Sequence, residues 1–555
     1  MKRWLLLAGI VALGVAAVVV SERRKVDVPV GPAAVLYLVA DTEQELARLP
    51  AHFDPLPDAE EIRIGNELAE FYAQDEAVKT AADTVAIEKY LAQVGGPLAS
   101  HAHRRLPYKF HYIPSAYLIN AFALPGGHVF VGGGLLALMD SEDELAAVLG
   151  HEIEHIDHYD CAQRVQQQEA LRKIPLGGLL AIPIEVFEAG YTKDQEMQAD
   201  RDGTKIAVAA GYSANGAIRM FEAFQRLYDD RQARAKTPDE ELSRVTMQTI
   251  EGYFRSHPLP SERIAQVQKM IASEGWSPRA ERDLGVTYIF WTARAREALN
   301  AHKYPEAEQL ATRSLKVQPE RPEALEVLAR AQFAQANFSG AAGSYRKMLG
   351  ESASNPVLVG AYAQALAAAD RKGAAGEFRH WMEAVSGEKP RDLDIALAGL
   401  ELLKGDAGSA HRLEIEFKMS SEERRPTWLG ELGWWHYLAG DSDTAADLIG
   451  DATQQRPGDL RLRVQRQWVA IENRRYGDAL ETTGDDEERM DREKSMVQGV
   501  AFWLSKQPDA ALTDFEKSLN GQPEWGNPRW VKGLYSPLVA RSIEEMQTER
   551  ERRKK

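Results

Sequence analysis

Cysteine is nearly missing from this chain: Cys161 is the only one in 555 residues. No intrachain disulfide can form, and no zinc site can be built from cysteines. Positive charge is also in deficit, with 67 Lys and Arg against 83 Asp and Glu, a net charge of −16. That argues against a nucleic-acid-binding surface and fits acidity that keeps a large protein in solution. No Gly-Lys-Ser/Thr follows the glycines at 126–127 or 132–134, which excludes a phosphate loop of the usual spacing. Those glycines read instead as hairpin and helix-entry positions. The 44% hydrophobic and 27% charged residues are those of an ordinary globular protein. The length suggests about three to four domain-sized units.

Long apolar runs are scarce too. The main one, Trp4–Val20, has 17 residues, the lower limit for a membrane span. Lys2 and Arg3 precede it and Ser21-Glu22-Arg23-Arg24-Lys25 follows. Residues 1–25 therefore read as an uncleaved signal anchor, with a cleaved signal peptide as the alternative. Either reading places the body outside the cytoplasm of a bacterium, periplasmic and anchored to the inner membrane by residues 4–20, or soluble after cleavage. No cysteine follows the run, so a lipoprotein anchor is excluded. Residues 26–57 are Pro-rich and read as a linker.

From Asp58 the pattern becomes helical, with Ile62, Ile64, Leu68, Phe71 and Tyr72 on one stripe, and Gly95-Gly96-Pro97 reads as a stop after Ile87–Val94. Tyr108–Ile113 alternates like a strand. Asn120–Gly127 and His128–Val131 read as two strands around a turn. Ser141 with Glu144 predicts a capping box that starts the next helix. The apolar 174–187 stretch is too short to span a bilayer and reads as a buried connector or a flap. From about 288 the chain is helical and periodic. Ala307, Ala341 and Ala375 are each 34 apart, as are Ala445 and Ala479, and Pro319, Pro457 and Pro523 each fall twelve residues after the key alanine. Thirty-four residues with small side chains at those offsets is the tetratricopeptide signature. About six repeats are expected over 288–530, then a charged tail, 531–555.

The chemistry is carried by His151-Glu152-Ile153-Glu154-His155. On a helix the two histidines share a face and can bind one zinc ion, with Glu152 placed as general base. A catalytic zinc needs a third protein ligand. Cys161 stands where some families place theirs, but position 158 is His rather than Gly, and a continuing helix would turn Cys161 away. Glu196 is the other candidate. Asp200, one turn on, would share its face and could accept a bond from a ligand histidine.

Read in order, several pieces resemble the HtpX-like and BepA-like gluzincin metallopeptidases with C-terminal tetratricopeptide repeats. They are Asn120-Ala121-Phe122 with Pro125-Gly126-Gly127, the His151–His155 motif, Tyr191–Glu196 with Ala199-Asp200, Gly211-Tyr212, and Ser256-His257-Pro258 with Arg263. The resemblance covers about 60–275 closely and the repeats more loosely. It implies a mainly α fold: an α-rich peptidase domain over 58–280 with a small β-hairpin and edge strand, then an all-α repeat solenoid. It also implies one zinc per chain held by His151, His155 and Glu196, with Glu152 catalytic. Asn120, Ala121, Phe122 and Ala123 would be the edge strand that receives an extended substrate. His257 would donate to the oxyanion or occupy the open metal position. Arg263 would pair with Asp200 or Glu196, or simply lie on the next helix. His158, His101, His103, His111 and His128 read as surface or packing residues.

The expected activity is zinc-dependent hydrolysis of peptide bonds in misfolded or envelope proteins. The repeats would recruit substrates or outer-membrane assembly partners. The rival is a chaperone-like assembly adaptor whose protease is latent, gated by His257 or by the 171–190 segment.

Overall fold

Asp58, Glu60 and Glu61 crowd the first turn of helix α1 (Asp58–Phe71), where negative charge complements the helix dipole. This start is seen in a computed structural model that describes residues 56–72, 76–172, 191–234, 260–350, 352–387, 389–480 and 488–554. The 1–25 and 26–57 segments lie almost wholly outside the described residues, as do the 173–190 stretch and His257. No described helix is long and apolar enough to cross a membrane. The chain divides into two units, 1–286 and 287–555.

In the first unit, Ile64 and Leu68 of α1, with Tyr72 just past its end, pack against Phe122, Leu124, Phe130 and Val165. Helix α2 (Ala82–Ala99) runs through Gly95-Gly96-Pro97, which does not stop it. Gly95 is needed for contact instead: a Cβ there would lie 2.2 Å from the Phe110 ring. Pro97 sits in the last turn, so it removes only one hydrogen bond near the end.

Strands β1 (Lys109–Ile113), β2 (Ala121–Leu124) and β3 (His128–Gly132) form one sheet of order β1-β3-β2. β2 and β3 make the expected antiparallel hairpin. The tight turn uses Gly126 and Gly127 at positive φ, where a side chain would be strained. β1 joins β3 in parallel. β3 is therefore central, and β2 is one edge of the sheet with β1 the other.

Helix α3 (Glu142–Asp157) carries the HExxH motif. Ser141 accepts from the Glu144 amide as expected. The other half of the capping box differs, because the Glu144 carboxylate reaches one residue further back, to the Asp140 amide at 2.9 Å. Helices α4 (Asp160–Arg172), α5 (Lys193–Ala209) and α6 (Asn215–Arg234) pack on α3, and α7 (Pro260–Glu274) packs on α5 and α6. α5 starts with a complete capping box between Thr192 and Gln195. α3 and α5 approach at two glycines: a Cβ on Gly150 would stand 2.7 Å from the Gly203 carbonyl oxygen, and one on Gly203 would stand 2.6 Å from the His151 amide nitrogen.

The second unit is helical throughout its described residues. Helix pairs follow one another from Thr287–Asn300 with Tyr304–Val317 to Glu488–Leu504 with Pro508–Gly521. The periodic alanines 307, 341, 445, 479 and 511 are fully buried, and Ala375 is nearly so. They lie on second helices, where small side chains let the paired helix come close. At Gly433 a Cβ would meet Ile449 at 2.7 Å. Aromatics fill the spaces between pairs, including the fully buried Trp381, Trp468 and Trp525.

The 531–555 stretch is not a free charged tail. The short helix Pro528–Leu534 and the long helix Pro537–Lys554 bury Trp530, Val531, Val539, Ile543 and Met546 in the core of this unit. Val539, Ile543 and Met546 stand at helical spacing ahead of the densest charges, and they decide the outcome. A cavity of about 270 Å³ is lined by first helices of successive pairs, through Phe333, Gln364, Leu403, Trp434 and Val464. Trp530, Leu534 and Tyr535 line it as well. The inner face of the array is thus already met by the chain's own C-terminal segment.

Candidate metal centre

His151 and His155, one helical turn apart on α3, turn their Nε2 atoms to within 3.1 Å of each other, with the ring planes at 86°. Glu196, in the first turn of α5, closes the group. Its Oε2 lies 3.4 Å from His151 Nε2 and its Oε1 lies 3.8 Å from His155 Nε2. One donor atom from each residue falls within 4.8 Å of the others, and all three residues are buried.

Each histidine is held from behind. His151 Nδ1 lies 2.9 Å from Asp200 Oδ1, and His155 Nδ1 lies 2.9 Å from Asp160 Oδ2. A ring that donates its Nδ1–H to a carboxylate presents the Nε2 lone pair outward. Asp200 in turn accepts from Arg263 Nε at 2.6 Å and from Nη2 at 2.5 Å. Of the partners open to Arg263, the geometry selects Asp200. Its guanidinium also stacks 4.2 Å over Phe221.

Two inward lone pairs, one carboxylate and a carboxylate behind each ring form a donor set that fits zinc. The electrostatics agree. Burial alone would raise the Asp200 carboxyl, but the buried Arg263 charge outweighs it and holds it down to about 2. Burial alone would lower His151, but the bonds to Asp200 and Glu196 lift it to about 10 in the metal-free chain. His155 is pushed down, first by burial. A cation at the three donors would compete with a proton for the same lone pair.

Asp160 escapes a reading of the sequence. Helix α3 does not continue past His158, because Tyr159 adopts a left-handed φ of 63°. Arg104 secures this break: its Nη1 donates to the Ile156 carbonyl at 2.7 Å and its guanidinium stacks 3.8 Å over the Tyr159 ring. The reversal starts α4 at Asp160 and aims that carboxylate back at His155. Gln195 Nε2 holds its second oxygen at 2.7 Å. A non-glycine left-handed residue leaves little trace in a sequence.

Cys161 is not among the converging donors. Its Sγ faces the Tyr191 hydroxyl at 3.1 Å, and burial pushes its thiol well up, so it is a poor ligand. The Tyr191 ring lies 3.9 Å from His155, nearly parallel to it. The sequence motif included this tyrosine without giving it a role.

Glu152, His151, Asn120 and Ala121 line one cavity of about 40 Å³, together with Asp200, Phe221 and Arg263. The start of the edge strand and the proposed general base therefore face a common space. Phe122 and Ala123 continue that strand, fully within the core.

Residues 86–271 match Peptidase family M48. A Vibrio cholerae protein assigned as a beta-barrel assembly-enhancing protease is 31% identical over 201 residues, 32% of this chain and 38% of that protein. The Escherichia coli K12 beta-barrel assembly-enhancing protease is 26% identical over 205 residues, again 38% of its length. The mitochondrial metalloendopeptidase OMA1 of Schizosaccharomyces pombe is 26% identical over 172 residues, covering 29% of this chain and 44% of that protein. The matches thus span under half the length of these relatives, and the family match over 86–271 takes in His151, Glu152, His155, Glu196, Asp200 and Arg263. It is a helical protein with repeats whose N-terminal unit resembles the M48 metallopeptidases of the assembly-enhancing type.

Proposed function

We propose that the chain is a zinc endopeptidase of the bacterial envelope. It would hydrolyse peptide bonds in misfolded or assembling envelope proteins, with its helical repeats recruiting the substrate or a partner. The convergence of His151, His155 and Glu196 donors beside Glu152 supports the reading most directly. Those three residues would hold one zinc per chain. Zinc, when bound, supplies a Lewis acid for the scissile carbonyl and lowers the pKa of an attacking water.

Glu152 would take a proton from the attacking water and deliver it to the amine nitrogen as the peptide C–N bond breaks. Asp200 and Asp160 keep the two imidazoles in one orientation. Arg263 keeps Asp200 ionised despite its burial. Asn120–Ala123 receive an extended peptide by main-chain hydrogen bonds along the sheet edge, which suits loose sequence preference. His257, three residues before α7 in sequence, would donate to the oxyanion or occupy the open metal position. The names of the bacterial relatives motivate the envelope setting and the link to outer-membrane assembly. Residues 4–20 are the proposed membrane contact.

Metal analysis with casein digestion tests this reading on the purified protein beside Glu152→Gln and Glu196→Ala. One tightly held zinc per chain, cleavage lost in Glu152→Gln and that zinc lost in Glu196→Ala are expected. Tight zinc without cleavage would favour the adaptor with a latent protease, and absence of tight zinc would sink the proposal.

A further inference from the structure

Helices α3 and α5 carry a second group of donors on a neighbouring face. Glu154 lies three residues after His151, His158 three after His155, and Asp202 six after Glu196. We propose that Glu154, His158 and Asp202 form a second cation site, which takes a divalent transition metal, zinc foremost.

The spacing matches that of the first group. His158 Nε2 lies 3.1 Å from Glu154 Oε2 and 3.9 Å from Asp202 Oδ2, and donor atoms of all three fall within 4.8 Å. The corresponding separations in the first group run from 3.1 to 3.8 Å. Ligands about 2.1 Å from one zinc ion stand roughly 3–4 Å from one another, so both groups need only small adjustments.

A second, independent observation concerns Glu154. Its side chain is 1% exposed, and Oε2 is a buried oxygen with no hydrogen-bond partner. The His158 nitrogen 3.1 Å away makes an ion-pair contact with it and no hydrogen bond. A buried carboxylate oxygen without a donor is costly, and a cation between Glu154 and His158 would relieve that cost.

The surrounding groups set the limits. Asp157 is not available, because His103 Nδ1 and the amides of His103 and Arg104 already occupy its carboxylate. Arg201 and Lys205 pair with Asp202 at 3.2 and 3.1 Å, so a metal must compete with them there. That competition makes this site weaker than the first. His158 and Asp202 are 23% and 22% exposed, which gives the cation a path from solvent and leaves coordination positions for water. One imidazole with two carboxylates suits zinc or manganese better than calcium or magnesium. Filled, the site would tie the end of α3 to α5 beside the proposed catalytic metal.

Titration calorimetry of the full chain with zinc chloride alone, with magnesium chloride as control, tests the proposal. A second, weaker zinc equivalent is expected in the parent and not with magnesium. His158→Ala and Asp202→Asn, both at partly exposed positions, should weaken that equivalent at least about tenfold. The first equivalent and casein cleavage at one equivalent of zinc should be unchanged. Glu154→Gln, nearly isosteric, should do the same, and circular dichroism verifies that each variant is folded. In Glu196→Ala the first equivalent disappears and the second stays, which separates this site from the catalytic reading. A parent that stops at one equivalent overturns the proposal, as does a second equivalent that persists at full affinity in the folded variants.

Discussion

The metal-centre helices and the repeat array solve opposite problems with the same small residues. Between α3 and α5, Gly150 and Gly203 bring two backbones together so that buried polar groups can meet: Asp200 with His151, and Glu196 with two histidines. In the repeats, Ala307, Ala341, Ala445, Ala479 and Ala511 bring helices together so that aromatics can interlock. Close approach serves precision in the first region and area in the second. The difference sets how each should fail. A wrong atom in the first leaves a buried charge or lone pair without its partner, which is local and chemical. A wrong atom in the second leaves a hole, which is structural and spreads only to neighbouring repeats.

The largest effect that would sharpen this contrast is at Glu152. Glu152→Gln should lower casein turnover by roughly 10²–10⁴-fold with zinc content unchanged. Retained turnover would remove Glu152 from the chemistry. Trp468→Ala should destabilise the repeat unit by about 3–5 kcal/mol, because this fully buried ring leaves a cavity. Urea denaturation would measure that loss and metal analysis would follow the centre; loss of tight zinc from folded Trp468→Ala protein would break the contrast.

Asp160→Asn should reduce zinc affinity about 10- to 100-fold, with little change in melting temperature. Chelator competition would detect it, and unchanged affinity would show that the carboxylate behind His155 does not matter.

The smallest effect is on pH. His111 Nε2 and His128 Nδ1 lie 2.9 Å apart, and burial pushes both rings down to about 4. The unfolded chain, with histidines near 6.5, takes up protons first as the pH falls. The stability these rings retain above about pH 6.5 should therefore drain away toward pH 4. The loss is about 1–2 kcal/mol once solvent screening of the part-exposed His111 is allowed for. Thermal melts across that range should slope downward into acid, and more shallowly in His111→Gln.

Much of this could be read from residue order. His151, Glu152 and His155 announce themselves by spacing, and Glu196, Asp200 and Arg263 by their place in a series of motifs. The 34-residue period exposed the repeats because the same contact recurs. What escaped reading depends on single backbone or packing events. Asp160 reaches His155 only because Tyr159 turns left-handed under the Arg104 guanidinium. Gly95 looked like a helix stop and is a seat for Phe110. The last 25 residues looked like a charged tail because their charges outnumber the apolar residues that anchor them.

The C-terminal segment around Trp530 and Tyr535 lies where the first helices of the repeats converge. A protein that recognises this inner face must therefore compete with a tethered resident. Its observed affinity would be the intrinsic one scaled by the fraction of time the resident is away. Every 1.4 kcal/mol that holds the segment in place would weaken such a partner tenfold. Trp530→Ala would then loosen the fold and tighten capture together, a sign opposite to that expected of an ordinary destabilised receptor.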